Sequence, residues 1–298
     1  MKLFDRFVVG LLPAVPRKLV WRFSRPYVAG ESLDDALRAV QTLNARGAKA
    51  TLDLLGESIT RREEAEAARD AYLDMLERIA RTSLDTNVSL KLTQLGLKLD
   101  AKFCLDNVRA VVDAAARRRN FVRIDMEDSS CTDATLTVFR ALQRDHDNVG
   151  IVLQAYLRRS LDDARELGRI KANVRLCKGI YVEAEAIAYK QSDEIRASYM
   201  AIVEELFKAG SYLGVATHDD VLAERTWELA QKLKLTPQQY EFQMLYGVRP
   251  GLGQSLLGRG ARLRVYVPYG RQWYPYCMRR LRENPAVAGY VLKNLFVR

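Results

Sequence analysis

Histidine is nearly absent from this chain: His146 and His218 are the two in 298 residues. The four cysteines, Cys104, Cys131, Cys177 and Cys277, are widely spaced. They form no C-x-x-C pair, and with so few histidines no metal centre is expected. Sparse cysteines also point to free thiols in a reducing cytoplasm rather than to a disulfide framework. No uncharged apolar run reaches the roughly 18 residues a membrane-spanning helix needs. Gly/Ser/Pro-rich linkers and low-complexity segments are lacking, so the length fits two small domains or one large α/β domain. No G-x-G-x-x-G follows the first apolar run. The nearest approach, Gly251 and Gly253, comes late, lacks the third glycine and reads as a pair of turn glycines.

What is present in excess is positive charge, formally +10. Much of it is local. Residues 1–30 carry Lys2, Arg6, Arg17, Lys18, Arg22 and Arg25 against Asp5 alone. Phe4, Phe7, Val8, Leu11, Leu12 and Val15 recur among them at helical spacing. The apolar run is too short for a secretory signal, and no small-residue cleavage site follows it. Two readings stand: a terminal helix packed on the domain with its basic side in water, or a basic amphipathic segment resting on an anionic membrane. Nucleic acid is not expected as a partner, because the excess gathers at the N-terminus rather than along a groove and the later helices carry many acids.

From residue 49 onward a strand–helix alternation runs eight times. The short apolar runs are ATLDLL (50–55), VSLKL (88–92), FVRIDM (121–126), GIVLQ (150–154), VRLCK (174–178), YLGVAT (212–217), YEFQML (240–245) and LRVYV (263–267). Helical stretches such as TRREEAEAARDAYLDMLERIAR separate them. Strict alternation argues for a parallel sheet, and eight units suit an α/β fold of the (β/α)8 TIM-barrel type; a doubly wound open sheet is the alternative. The expected organisation is an N-terminal helical arm over 1–48 and a barrel over 49–298. In such barrels chemistry sits at the C-terminal ends of the strands. Those ends carry Glu57, Lys91, Asp125, Met126, Glu127, Gln154, Arg175, Lys178, Thr217, His218, Leu245 and Tyr246, with Tyr266 on strand 8. Half-buried charges are costly unless paired, and Lys91, Arg175 and Lys178 at one end describe a pocket for an anionic ligand.

The stretch YCMRRLREN (276–284) adds two adjacent arginines. Tyr276, Arg279, Arg280 and Glu283 fall at i, i+3, i+4 and i+7, on one helical stripe, so both guanidinium groups can converge on one small anion. Taken with LGES (55–58), SLKL (89–92), RIDME (123–127), QAY (154–156), VRLCKGIYVEAE (174–185), VATH (215–218), EFQMLYG (241–247) and RVYVPYG (264–270), the chain resembles the proline dehydrogenases from about residue 50 to 284. Its size is similar to that of the bacterial single-function enzymes.

The resemblance implies a distorted barrel binding FAD, with the last barrel helix lying over the active site. It implies oxidation of L-proline to Δ1-pyrroline-5-carboxylate by hydride transfer from C5 to flavin N5, with electrons passed to a membrane quinone. By the same resemblance Arg279, Arg280 and Lys91 clamp the substrate carboxylate, while Tyr266, Tyr276 and Leu245 shape the pocket around the ring. Glu57 would pair with Arg279 and close the site. Asp125 would order Lys91 and Tyr266, and Arg175 would lie near N5. Gln154 and the backbone at Met126 would meet the isoalloxazine; Lys178, Gly179, Ile180, Thr217 and His218 would hold the rest of FAD. The competing reading is a lyase or aldolase of the same barrel class using Lys91 or Lys178 as a Schiff base.

Overall fold

The computed structural model describes residues 17–56 and 59–283. Eight parallel strands close into a barrel in sequence order: β1 (Lys49–Leu54), β2 (Thr86–Leu90), β3 (Val122–Ile124), β4 (Val149–Gln154), β5 (Val174–Cys177), β6 (Leu213–Ala216), β7 (Tyr240–Leu245) and β8 (Leu263–Tyr269). Closure comes from β8 pairing with β1, Leu52 opposite Val267. The helices are α1 (Arg17–Ser24), α2 (Leu33–Ala45), α3 (Arg62–Ala80), α4 (Ala101–Arg117), α5 (Thr132–Gln143), α6 (Ser160–Arg169), α7 (Ser192–Ala209), α8 (Asp220–Lys232), α9 (Pro250–Gly258) and α10 (Trp273–Glu283). The alternation thus gives the barrel and not the open sheet.

Side chains alternate across each strand. One set, including Leu52, Val88, Leu90, Ile124, Ile151, Val174, Leu176, Val215 and Phe242, is fully or almost fully buried and apolar. It belongs to one continuous core with the inner faces of helices such as α7, whose Tyr199, Ile202, Val203 and Leu206 are fully buried. Each such side chain stabilises by roughly 1.5–3 kcal/mol. The Tyr199 hydroxyl donates to the Leu176 carbonyl at 3.0 Å, so its polar end is satisfied.

The other set fills the barrel, and it is polar. Arg175 of β5 reaches Ser89 of β2 at 3.2 Å, and Tyr266 of β8 reaches Asp125 just past β3 at 2.8 Å. Those strands are not neighbours, so these contacts cross the lumen. Lower down, Arg264 Nε donates to Glu241 Oε1 at 2.6 Å, and Arg123 donates to the carbonyls of Ile151 and Asn173 at 2.9 and 2.7 Å. Glycine makes room for them. A Cβ on Gly150 would lie 2.4 Å from an Arg123 nitrogen, and one on Gly214 2.5 Å from the Gln243 amide.

Helix ends follow from local chemistry. Ser32 and Asp35 form a reciprocal capping box at α2, Asp219 caps α8 by accepting from Val221 and Leu222, and Gly210 closes α7 in the left-handed region. Gly251 and Gly253 correct the sequence reading: they lie inside α9, not in a turn, because Pro250 at the first helical position starts that helix early.

The segment before the barrel also has a defined path. The amide of Ala29 donates to the Pro268 carbonyl at 2.9 Å and that of Gly270 to the Gly30 carbonyl at 3.0 Å. A Cβ on Gly247 would fall 2.0 Å from the Pro26 carbonyl oxygen. Residues 24–31 therefore cross the C-terminal end of the barrel beside β7 and β8. Trp21 of α1 packs on Trp273 of α10, ring centroids 4.7 Å apart, and the Trp273 indole donates to Glu31 at 2.7 Å. The apolar periodicity of residues 1–16, residue Glu57, and the side chains of Arg279 and Arg280 lie outside the described residues.

Candidate active site

A cavity of about 690 Å³ opens at the C-terminal end of the strands. Lys91, Asp125, Met126, Gln154, Arg175, Lys178, Gly179, Ile180, Thr217, His218, Leu245, Tyr266 and Tyr276 all line it. Thirteen candidates from widely separated segments are thus brought together. Tyr276 reaches the cavity from α10, so that helix lies at the barrel mouth.

The floor is a hydrogen-bonded chain of charges. Asp125 Oδ1 accepts from Arg175 at 2.7 Å and from Ser89 Oγ at 2.7 Å, while Oδ2 accepts from Tyr266 at 2.8 Å. Lys91 Nζ donates to Asp53 Oδ1 at 2.8 Å and stands 3.9 Å from Asp125. Arg175 Nε donates to Gln243 Oε1 at 2.5 Å, and Gln243 Nε2 donates to Glu241 Oε1 at 2.7 Å. The Arg175 guanidinium also lies 5.2 Å from the centre of the Tyr266 ring. Burial drives the Tyr266 phenol well above its usual range and Asp125 adds to the effect, so the hydroxyl keeps its proton and donates. Burial pushes Arg123 down to about 9, with Arg175 adding to it.

One wall carries a second charged group. Asp219 accepts from Lys178 Nζ at 2.6 Å and from Arg196 Nε at 2.8 Å. Burial pushes its carboxyl up, but the bonds from Lys178 and Arg196 outweigh that and hold it at about 2. Next to it the backbone amide of Leu245 donates to His218 Nε2 at 2.9 Å, so that nitrogen carries no proton in this bond and the ring proton sits on Nδ1. Arg249 donates to the His218 carbonyl at 3.0 Å. Opposite, Gln154 Nε2 donates to the carbonyls of Met126 and Glu127, both at 3.1 Å, while its Oε1 is buried with no hydrogen-bond partner among the described residues.

Several lining groups escape strand-end reasoning: Gln243, Arg196, Asp219 and Arg249 line the cavity, and Asp53 lies beneath it. Asp53 and Gln243 carried a signal, each a polar side chain alternating with apolar ones inside a strand. Arg196 carried none, because it returns to the mouth from α7. Glu127, at the same strand end as Asp125, turns aside: Oε1 accepts from the Thr93 amide at 3.0 Å and Oε2 from its hydroxyl at 2.5 Å. Both lysines of the Schiff-base reading are ion-paired, Lys91 to Asp53 and Lys178 to Asp219. An ammonium held by a carboxylate is a poor nucleophile. Cys177 also lines the cavity, and burial pushes its thiol up to about 11.

Comparisons agree with this geometry. The family model described as Proline dehydrogenase matches residues 36–293. The chain is 38% identical over 272 residues to proline dehydrogenase 1 of Bacillus subtilis subsp. natto, covering 91% of this chain and 90% of that one. It is 36% identical over 284 residues to the proline dehydrogenase of Deinococcus radiodurans, covering 94% and 92%. Among solved structures, proline utilization A from Bdellovibrio bacteriovorus, inactivated by N-propargylglycine, superposes with a TM-score of 0.85 at 26% identity. That likeness covers 99% of this chain but 37% of the other, so the chain spans little more than a third of that larger protein. A barrel whose mouth gathers these thirteen residues, a family match over most of the chain and relatives above 30% identity along nine-tenths of it lead to one statement: this chain belongs to the proline dehydrogenase family, and it is an oxidoreductase.

Proposed function

We propose that the cavity oxidises L-proline to Δ1-pyrroline-5-carboxylate with a bound FAD as the first electron acceptor. The observation that supports this most is the cavity itself, where a floor of paired, hydrogen-bonded charges meets an uncommitted buried acceptor and a cationic wall. The donor set fits a flavin dinucleotide. Gln154 Oε1 can accept from an N–H of a ring system, while Val152, Met126 and Leu245 offer apolar surface. Among the groups lining that wall Lys178, Arg196 and Arg249 outnumber Asp219 and Asp220, which suits a diphosphate. Gly179, Ile180, Thr217 and His218 border the same wall. When bound, the flavin supplies the two-electron acceptor for hydride leaving C5 of proline.

The protein's own groups do the rest. Lys91, with Arg279 and Arg280 from α10, receives the proline carboxylate; each charge-assisted bond is worth roughly 1.5–3 kcal/mol. Tyr266, Tyr276 and Leu245 bound the space for the ring, and Glu57 pairs with Arg279 to close it. Asp125 fixes Tyr266 and Arg175, and the Arg175 guanidinium offers positive charge where the acceptor gains electrons. The nitrogen lone pair that stabilises charge growing at C5 exists only in the deprotonated amine, so activity rises with pH. We further assign a membrane quinone as the final acceptor, and a cytoplasmic enzyme touching the bilayer through its basic N-terminal segment. Among the described residues no helix is long and apolar enough to cross a membrane.

The test is anaerobic titration of the purified protein with L-proline, using D-proline and glycine as controls. The expected outcome is a yellow protein bleached by L-proline alone. A colourless protein, or equal bleaching by glycine, refutes the reading. N-propargylglycine, which inactivates the Bdellovibrio relative, should inactivate this enzyme too, with proline protecting it. Borohydride with proline should trap no imine on Lys91 or Lys178.

A further inference from the structure

Lys91 sits between two carboxylates. Asp125 is already committed, to Arg175 at 2.7 Å, Ser89 at 2.7 Å and Tyr266 at 2.8 Å, and it stands 3.9 Å from Lys91. Asp53 is different. It lies on β1 with no exposed surface, and it accepts from Lys91 Nζ at 2.8 Å. Two carboxylates and two cations therefore pair off one to one. Among the described residues, Asp53 faces Lys91 after β2, Asp125 after β3, Tyr266 and Tyr269 on β8, and Tyr72 on α3, and of these Lys91 is the cation.

We propose that Asp53 is a positioning residue for the substrate carboxylate: it keeps the Lys91 ammonium protonated and aimed into the cavity while Asp125 serves Arg175 and Tyr266. This rests on the reading above that Lys91 receives the carboxylate. An ammonium this deeply buried holds its proton less firmly once its nearer counter-ion is removed, because desolvation disfavours the charged form. The dependence runs both ways. Burial leaves the Asp53 carboxyl raised overall, and Lys91 is the largest influence opposing that rise. Without Asp53, Lys91 would still fill its space, but as pH rises it would become a neutral amine and cease to attract an anion.

The experiment is steady-state proline oxidation by holoenzyme from pH 6.5 to 10 in wild type, Asp53→Asn, Lys91→Met and the double variant. The ratio of the Asp53→Asn KM to the wild-type KM should grow at least about tenfold across this range, one carboxylate contact being worth about a decade. The effect should fall on KM rather than on kcat. Lys91→Met should have a high KM without that extra pH dependence, and the double variant should match it. A KM profile for Asp53→Asn parallel to wild type, or additive effects in the double variant, overturns the proposal. Thermal unfolding provides a readout independent of turnover. Asp53→Asn strands a buried charge, whereas the double variant removes the pair. The double variant melting higher than Asp53→Asn supports the pairing; equal or lower melting overturns it. If wild type does not oxidise proline, the functional reading falls, while the melting comparison still tests the pair.

Discussion

Removing Arg175 tests the charged floor most directly. Its side chain is 7% exposed and bonds Asp125, Ser89 and Gln243 at once. In Arg175→Met those bonds vanish while most of the volume stays. Asp125 keeps the Ser89 and Tyr266 hydroxyls but loses its close cation, since Lys91 stands 3.9 Å away. Breaking a buried pair by deleting one partner costs about 3–5 kcal/mol, a large fraction of the roughly 5–15 kcal/mol typical of a folded domain. The loss should appear in full in the difference between wild type and Arg175→Met measured by urea unfolding at pH 8. Adding Asp125→Asn should recover part of it, because the double variant no longer strands a buried carboxylate. A gap under about 1 kcal/mol, or no recovery in the double variant, would mean that the pair is not a buried interaction and that the polar floor is misread.

Arg279→Met and Arg280→Met should each raise KM for proline about tenfold or more, at roughly one charge-assisted bond lost per variant; an unchanged KM in initial-rate assays counts against the carboxylate clamp. Asp219 is held at about 2 against an ordinary 3.8, so its stabilising effect is present above pH 3.8 and disappears as pH falls through 2. Asp219→Asn should accordingly melt lower than wild type at pH 7, with the difference closing below pH 4. The Cys177 thiol, pushed up to about 11, should resist iodoacetamide at pH 8 although it lines the cavity; rapid alkylation detected by mass spectrometry would show that a thiolate is present.

How much of this was legible in the sequence depends on which periodicity carried it. Strand existence was fully readable, because each β-branched run is bounded by a helix and turn residues. YEFQML matches β7 residue for residue. Strand-end chemistry was readable too, since barrel topology alone sends Asp125, Arg175 and Tyr266 to one mouth. The polar lumen was not drawn out, although RID at 123–125 alternates Arg, Ile and Asp. That alternation means charges on the lumen side of a strand whose other side is apolar, and it also marks Asp53 and Gln243. Reach across sequence was the harder part. Arg196 meets Asp219 only because α7 and α8 start side by side at the mouth, and no local pattern encodes that meeting. Gly251 and Gly253 show the opposite failure, where a residue type suggestive of turns yields to Pro250 at a helix start.

The N-terminal segment is where the two sequence readings can now be separated. A packed helix and a membrane contact were alternatives, yet α1 and the strap after it lie against the same helix that brings Tyr276 to the cavity. Trp21 packs on Trp273 and Glu31 holds the Trp273 indole. Deleting residues 1–25 would therefore remove basic charge and loosen α10 together, so weaker vesicle binding by that variant would not distinguish the causes. Neutralising charge alone does. Arg22 and Arg25 are exposed, and with Lys2 and Arg6 they can be changed to Gln without touching Trp21. Each basic residue near an anionic surface contributes about 1 kcal/mol, so the fourfold variant should lose up to about three decades of affinity for phosphatidylserine vesicles at low salt. Its KM for proline should stay at the wild-type value. Trp273→Phe, which drops the indole donor to Glu31, should do the reverse, raising KM while vesicle binding holds. If charge neutralisation leaves vesicle binding intact, the basic face is simply the wet side of a packed helix.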